Sequence, residues 1–176
     1  LAAAVVAEAG CRGLSSVSAS SFQSETGRGV SGTVDGRHVV VGTAGLLRDR
    51  GVELGHLVTD ADELRRRGET VVFVGIEGHV AGLLGIADPI KASTLEAIRL
   101  LRADRLHIVM VTGDSRLTAD AVATEVGLDP ADVVAEVLPA DKRRIIAERQ
   151  ARGQVIAMAG DGINDAPALA EAAVGI

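Results

Sequence analysis

Ala159-Gly160-Asp161-Gly162-Ile163-Asn164-Asp165-Ala166-Pro167 is the stretch on which the reading of this chain turns. Ahead of it, Gln154-Val155-Ile156-Ala157-Met158 is a short apolar run of the length expected for a buried strand. Behind it, Pro167 followed by Ala168 to Ala173 predicts the first turn and body of a helix. Asp161 and Asp165 therefore fall on a Gly-rich turn at the carboxyl end of a strand, where open α/β sheets place their ligands. Glycines let a backbone bend sharply and come close to an anion, and hard carboxylate oxygens suit Mg²⁺.

Outward from that turn, the chain from Asp88 onward alternates helix and strand. Ser93 or Thr94 is expected to cap a helix with Leu95, Ile98 and Leu101 on one face. His107 to Val111 reads as a strand closed by Thr112-Gly113-Asp114. Ser115 then caps a helix bearing Leu117, Ala121, Val122 and Val126, stopped by Gly127. Val133 to Leu138 is a further short strand and Ala140 to Arg152 a helix. A run of βα units predicts a parallel sheet, with the Thr112 and Asp161 turns opening on one edge. A hydroxyl and a backbone N–H of the first turn can hold a phosphate beside a metal bound by the second. The chain has 16 Arg and only two Lys, Lys91 and Lys142. A lysine kept in so Arg-biased a chain suggests that a compact point charge is wanted. Lys142 opens a helix within reach of a phosphate on that edge.

Residues 1 to about 86 carry a different, β-rich pattern. After a helical opening at Leu1 to Ala9, Ser16 to Phe22 is a candidate strand. Val30–Val34 and Arg37–Val41 flank Asp35-Gly36, a strong two-residue hairpin signal. Thr43 is expected to cap a short helix ending before Gly51, and Thr59 to start another that stops at Gly68. Arg65-Arg66-Arg67 then forms a solvated helix end whose charge complements the dipole. Thr70–Ile76 and His79–Ile86 make a second hairpin around Glu77-Gly78. Gly27-Arg28-Gly29-Val30-Ser31-Gly32 lies before the first hairpin. Followed by a strand rather than a helix, it reads on its own as a loop.

With 47% hydrophobic residues but Phe22 and Phe73 as the only aromatics, the core must be built from Val, Leu, Ile and Ala. A formal charge of −6 argues against nucleic acid as the main partner. Cys11 stands alone, which rules out an internal disulfide; it is expected to be buried as a small hydrophobe. The four histidines show no zinc spacing, no apolar run approaches the length of a membrane span, and no signal peptide is visible. Both ends read as elements cut short, so a fragment of a longer protein is expected.

The motifs together resemble one family. Asp161 to Pro167, Thr112 to Asp114, Leu138-Pro139-x-Asp141-Lys142, Asp88-Pro89 and the Gly27/Gly29 loop occur in this order in P-type ATPases. The Gly-x-Gly loop with Val41-Gly42 narrows the resemblance to the heavy-metal-transporting branch, copper transporters first. It implies an α/β architecture in two parts. Residues 1–86 would be an antiparallel-sheet, α+β nucleotide-binding domain, and 87–176 a partial, haloacid-dehalogenase-like parallel α/β phosphorylation domain. It implies that ATP binds the first and phosphorylates an aspartate of the second, driving transport of a metal ion such as Cu(I) bound outside this chain.

By the same resemblance, Asp161 and Asp165 hold Mg²⁺ and Asn164 contacts the phosphate region. Thr112, Gly113, Asp114 and Lys142 steady the aspartyl-phosphate, while Gly27, Gly29 and Gly42 lie against the nucleotide. Phosphoryl transfer needs positioning and charge neutralisation above all, which these groups supply. The implied setting is the cytoplasmic portion of an integral plasma-membrane protein, with membrane and actuator domains elsewhere in the chain. The nucleophilic Asp-Lys-Thr-Gly-Thr segment is absent and is expected upstream of Leu1, as is the Glu and His-Pro pair of the nucleotide domain. Without that nucleophile the fragment is predicted not to autophosphorylate. Where copper pumps often carry Gly-Asn after the hairpin, this chain has Gly42-Thr43. Two alternatives stay open: a soluble haloacid-dehalogenase-class phosphatase with residues 1–86 as its cap, and a non-catalytic nucleotide-sensing module.

Overall fold

The computed structural model describes residues 2–87, 89–160 and 165–176. Asp88, Asp161 and Asn164 lie outside the described residues.

Both hairpin signals form. Strands β1 (Ala19–Glu25), β2 (Gly29–Val34), β3 (Arg37–Gly42), β4 (Thr70–Ile76) and β5 (His79–Ile86) make one antiparallel sheet in sequence order. At its two tight turns, Asp35 and Gly36 take φ of 48° and 75°, and Glu77 and Gly78 take 51° and 77°. Two successive positive φ values match the right-handed twist of the flanking strands, which is why an Asp-Gly pair signals this turn. Strand β1 begins later than expected, and its register on β2 shifts between Ser20 and Gln23, leaving Phe22 exposed.

Helices α2 (Ala44–Asp49) and α3 (Leu57–Arg66) cover one face of the sheet. Thr43 caps α2 as expected, its Oγ1 accepting from Leu46 N at 3.2 Å. The packed face is aliphatic around a single aromatic: Leu46, Leu47 and Phe73 are fully buried, with Val40, Ala61 and Val71 beside them. Helix α3 starts at Leu57 rather than Thr59, because Leu57 and Val58 pack against this core and draw the preceding turn into the helix. Arg65 is not a solvated end. It pairs with Asp62 at 2.9 Å and stacks over the Phe73 ring, 5.9 Å from its centroid. Helix α1 (Ala2–Cys11) buries none of its residues, so Cys11 is exposed, against the expectation of burial.

The remainder is α4 (Ala92–Ala103), β6 (Met110–Val111), α5 (Arg116–Glu125), a 3₁₀ turn at Pro130–Asp132, β7 (Val133–Val134), α6 (Pro139–Ala151), β8 (Ala157–Met158), α7 (Ala166–Glu171) and β9 (Val174–Gly175). The pairings are parallel, as the βα alternation predicts. Among the described residues they form two separate ladders rather than one sheet: Met110↔Val133 with Val111↔Val134, and Ala157↔Val174 with Met158↔Gly175. The run 154–158, read as a buried strand, contributes only β8, and Val155 is exposed. Among the described residues β8 has one hydrogen-bonding neighbour, so strand geometry persists only opposite β9.

A second core gathers Ala119, Ala123, Val126, Leu128 and Val133, with Ile98 and Met110 against it. On α4 only Ile98 of the expected face packs inward; Leu95 and Leu101 are exposed, and Lys91 stands at the N-cap in place of Ser93 or Thr94. Ser115 caps α5 as expected. Helix α3 packs against α5, which joins the sheet part to the parallel part.

Candidate functional site

The Thr112–Asp114 turn leaves β6 and is stitched to the segment after β7. Thr112 N donates to Val134 O at 2.9 Å, Val137 N to Thr112 O at 3.0 Å, and Glu136 N to Asp114 O at 2.9 Å. Inside the turn, Thr112 Oγ1 donates to Asp114 Oδ2 at 2.8 Å and accepts from Asp114 N at 3.1 Å. The other carboxylate oxygen, Oδ1, accepts from Thr70 Oγ1 at 2.9 Å, a residue of β4 read from sequence only as the start of a strand. A Cβ on Gly113 would sit 3.3 Å from Val137 O, so glycine keeps this corner narrow. The turn runs into the N-terminus of α5, where Ser115 Oγ accepts from Thr118 N and the helix dipole favours an anion.

Helix α6 follows with Pro139 in its first turn, and Lys142 Nζ donates to Asp165 Oδ1 at 2.7 Å. Both side chains are largely covered, 17% and 12% exposed. The Asp165 carboxylate lies against Gly160, where a Cβ would stand 2.9 Å from Asp165 Oδ2 and from its Cβ. Glycine at 160 is therefore what admits the carboxylate. This donor fits a hard cation: an enclosed carboxylate holds a positive charge, and here that charge is lysine. Among the described residues no group of three or more His, Cys, Asp or Glu side chains gathers for a metal. Asp161 and Asn164, the other residues assigned to this turn, lie outside the described residues.

Across from α6 stands the glycine loop. Gly27 has φ +73°, and among the described residues the neighbour of a Cβ built there is Leu138 Cδ2 at 3.9 Å, in the residue before α6. The loop therefore faces the helix that carries Lys142. Arg28, between the glycines, pairs with Glu25 at 3.3 Å and with Asp49, and Arg50 pairs with Glu25 at 2.6 Å. The hydrogen bond to Asp49 raises the Arg28 guanidinium above its usual range. Thr43 N donates to Arg28 O at 2.8 Å, tying the loop to the cap of α2.

Gly29 and Gly42 are cross-strand partners. A Cβ on Gly29 (φ +148°) would strike Val41 O, Gly42 Cα at 2.6 Å and Leu46 Cδ2 at 2.8 Å. A Cβ on Gly42 would strike Arg28 O, Leu46 Cδ2 at 2.8 Å and Gly29 Cα at 2.9 Å. Their close approach is to one another and to the core, whereas a Cβ on Gly27 would make only an ordinary contact with Leu138 among the described residues.

The sequence model of the haloacid dehalogenase-like hydrolases matches residues 1–173. The chain belongs to that family. Within this hydrolase family it is similar along its whole length to heavy-metal P-type ATPases. It is 48% identical over 176 residues to a copper-exporting P-type ATPase of Legionella pneumophila, covering all of this chain and 24% of that protein. It is 45% identical to a silver exporting P-type ATPase of Salmonella typhimurium, again over its full length and 21% of the relative. The chain thus spans about a quarter or less of the curated relatives it matches. Among solved structures, a zinc-transporting PIB-type ATPase in the E2.Pi state superposes with a TM-score of 0.55 at 33% identity, over 97% of this chain and 27% of that one. The catalytic domain of the CPx-ATPase CopB-B gives 0.69 at 23% identity over 97% and 58%, a likeness of fold. The mixed α/β architecture expected from the sequence, one antiparallel sheet joined to parallel βα units, is the architecture found.

Proposed function

We propose that this chain is the ATP-binding and phosphoryl-transfer region of a metal-exporting P-type ATPase, with residues 1–86 serving the nucleotide and 87–176 the phosphorylation chemistry. The Lys142–Asp165 pair carries the proposal. A covered ammonium beside a covered carboxylate provides one group for phosphate charge and one for a cation, within 2.7 Å of each other. ATP supplies the transferable phosphoryl group, and Mg²⁺ neutralises phosphate charge during transfer.

The chain's own residues have these roles. Asp165, with Asp161, would hold Mg²⁺ through carboxylate oxygens. Lys142, paired with Asp165 in this structure, would supply its ammonium as positive charge for a phosphate. Thr112 offers its hydroxyl and Gly113 its backbone N–H to phosphate oxygens at the head of α5, with Asn164 contacting the same group. Asp114 orients the Thr112 hydroxyl. Gly27 leaves its side of the loop open to the nucleotide, and Gly29 with Gly42 holds the loop's base against β3. The aspartate that accepts the phosphoryl group is proposed to lie upstream in the same polypeptide, together with membrane-spanning segments. Among the described residues no helix is long and apolar enough to cross a membrane. We place the region on the cytoplasmic side of the plasma membrane, with Cu(I) as the first candidate cargo.

The test uses membranes holding the full-length gene product, labelled with ATP carrying a radioactive γ-phosphate in the presence of Cu(I), Ag(I), Zn²⁺, Cd²⁺ or Co²⁺. Acid-stable, hydroxylamine-sensitive label that depends on one metal is the expected result and names the cargo. Folded protein that takes no label with any of the five overturns the pump and favours the phosphatase.

A further inference from the structure

Among the described residues two side-chain hydrogen bonds join the sheet part to the parallel part, one at the Thr112–Asp114 turn and one at the first turn of α5 that follows it. They start from adjacent residues, Glu69 and Thr70, at the corner between α3 and β4. Thr118 Oγ1, in a residue only 3% exposed, donates to Glu69 O at 3.1 Å. With that proton committed, the 2.9 Å contact between Ser115 Oγ and Thr118 Oγ1 must be Ser115 donating. Ser115 in turn accepts from Thr118 N at 3.2 Å as the cap of α5. The second bond runs from Thr70 Oγ1 to Asp114 Oδ1. The corner thus holds the cap of α5 through one hydroxyl and the Asp114 carboxylate through the other.

We propose that Thr70 is a positioning residue for the phosphate turn, coupling the seating of the sheet part to the freedom of the Thr112 hydroxyl. This rests on the phosphoryl-transfer reading above. In the structure the Thr112 proton is given to Asp114 Oδ2. To donate to a phosphate oxygen, Thr112 must withdraw it. While Thr70 occupies Oδ1, the part-buried carboxylate keeps a hydroxyl donor after Thr112 turns away. Without the Thr70 hydroxyl it keeps neither, and a part-buried anion that loses both hydroxyl donors is disfavoured, so Thr112 stays turned inward. Thr70 pairs with Ile86 at the last residue of β5, beside the connection into α4, so a change in how the sheet part sits reaches Asp114 over a short lever. Thr70 itself touches no reacting atom in this scheme.

The experiment compares Thr70→Val, isosteric but without the hydroxyl, with Thr70→Ser, which keeps it, in the full-length gene product. Single-turnover labelling from saturating ATP is read alongside ATP affinity. Thr70→Val is expected to slow labelling about tenfold and leave ATP affinity within about twofold, while Thr70→Ser labels within about twofold of the parent. Labelling by Thr70→Val at the parental rate overturns the proposal. So does equal slowing by both variants, since that would assign the effect to packing of the methyl group. Hydrogen exchange on the same proteins, read by mass spectrometry over 112–118, is expected to quicken in Thr70→Val and not in Thr70→Ser. Parent protein that fails to label defeats the pump reading instead. The exchange comparison still decides the tie, and unchanged exchange in Thr70→Val removes it.

Discussion

Between Gly29 and Gly42 there is no room for a methyl group, and this changes what a substitution there measures. Gly29→Ala forces a side chain onto Val41 O and Gly42 Cα at a positive φ, and is expected to cost about 3 kcal/mol. Among the described residues Gly27→Ala meets Leu138 alone, at 3.9 Å, and is expected to carry the left-handed penalty, about 1 kcal/mol. Urea unfolding of the two variants checks this order. Gly27→Ala is then the informative probe of nucleotide affinity, since weakened ATP binding in Gly29→Ala would mix a ligand contact with a loosened strand pair. Lys142→Ala leaves the Asp165 carboxylate enclosed without its cation. The loss is expected at about 2 kcal/mol, between a surface and a fully buried pair, or about 4–8 °C in thermal midpoint for a chain of this size. Millimolar Mg²⁺ should recover part of that loss in the variant and stabilise the parent less, because in the parent it must displace the lysine. A midpoint unmoved by the substitution would mean that the pair does not hold the turn together.

At the scale of elements, what was legible in the sequence is what is decided within a few residues. Asp35-Gly36 and Glu77-Gly78 set their hairpins, and Thr43 and Ser115 set the starts of α2 and α5, because turn and cap chemistry is local. Where tertiary packing competes, the local signal loses: Leu57 and Val58 pull α3 past Thr59, and Ile98 sinks while Leu95 and Leu101 stay out. The candidate site was legible as a set of residues rather than as contacts. Thr112, Asp114, Lys142 and Asp165 could be named. That Lys142 bonds Asp165 across 23 residues and Thr70 bonds Asp114 across 44 could not, because nothing in the spacing encodes those meetings. Thr43→Ala tests the local class. It removes the Oγ1 acceptor for Leu46 N, and helix α2 is only six residues long. The expected loss is about 1 kcal/mol, read as a lowered urea midpoint, with Thr43→Ser returning most of it.

Among the described residues two cores share no buried residue and are joined where α3 meets α5. They differ in what they bury. The first encloses Phe73, Leu46 and Leu47 completely, each contributing about 1.5–3 kcal/mol. The second is built on Ala119 and Ala123 with Val126, Leu128 and Val133, smaller side chains around two-residue strands. Less apolar area per residue and shorter ladders mean that the second core opens at lower free energy. Native-state hydrogen exchange should therefore show amides of β3 and β4 outlasting those of α5 and β7 by a wide margin. Phe73→Ala takes about 3–5 kcal/mol from the first core alone and is expected to bring the two sets of rates together, with α5 and β7 nearly unchanged. If instead all amides slow and quicken as one set, in parent and variant alike, the α3–α5 contact binds the cores into a single cooperative unit. Movement of the sheet part over the Thr112–Asp114 turn would then require the whole chain to yield, and the hydroxyl tie from Thr70 would have nothing independent to sense.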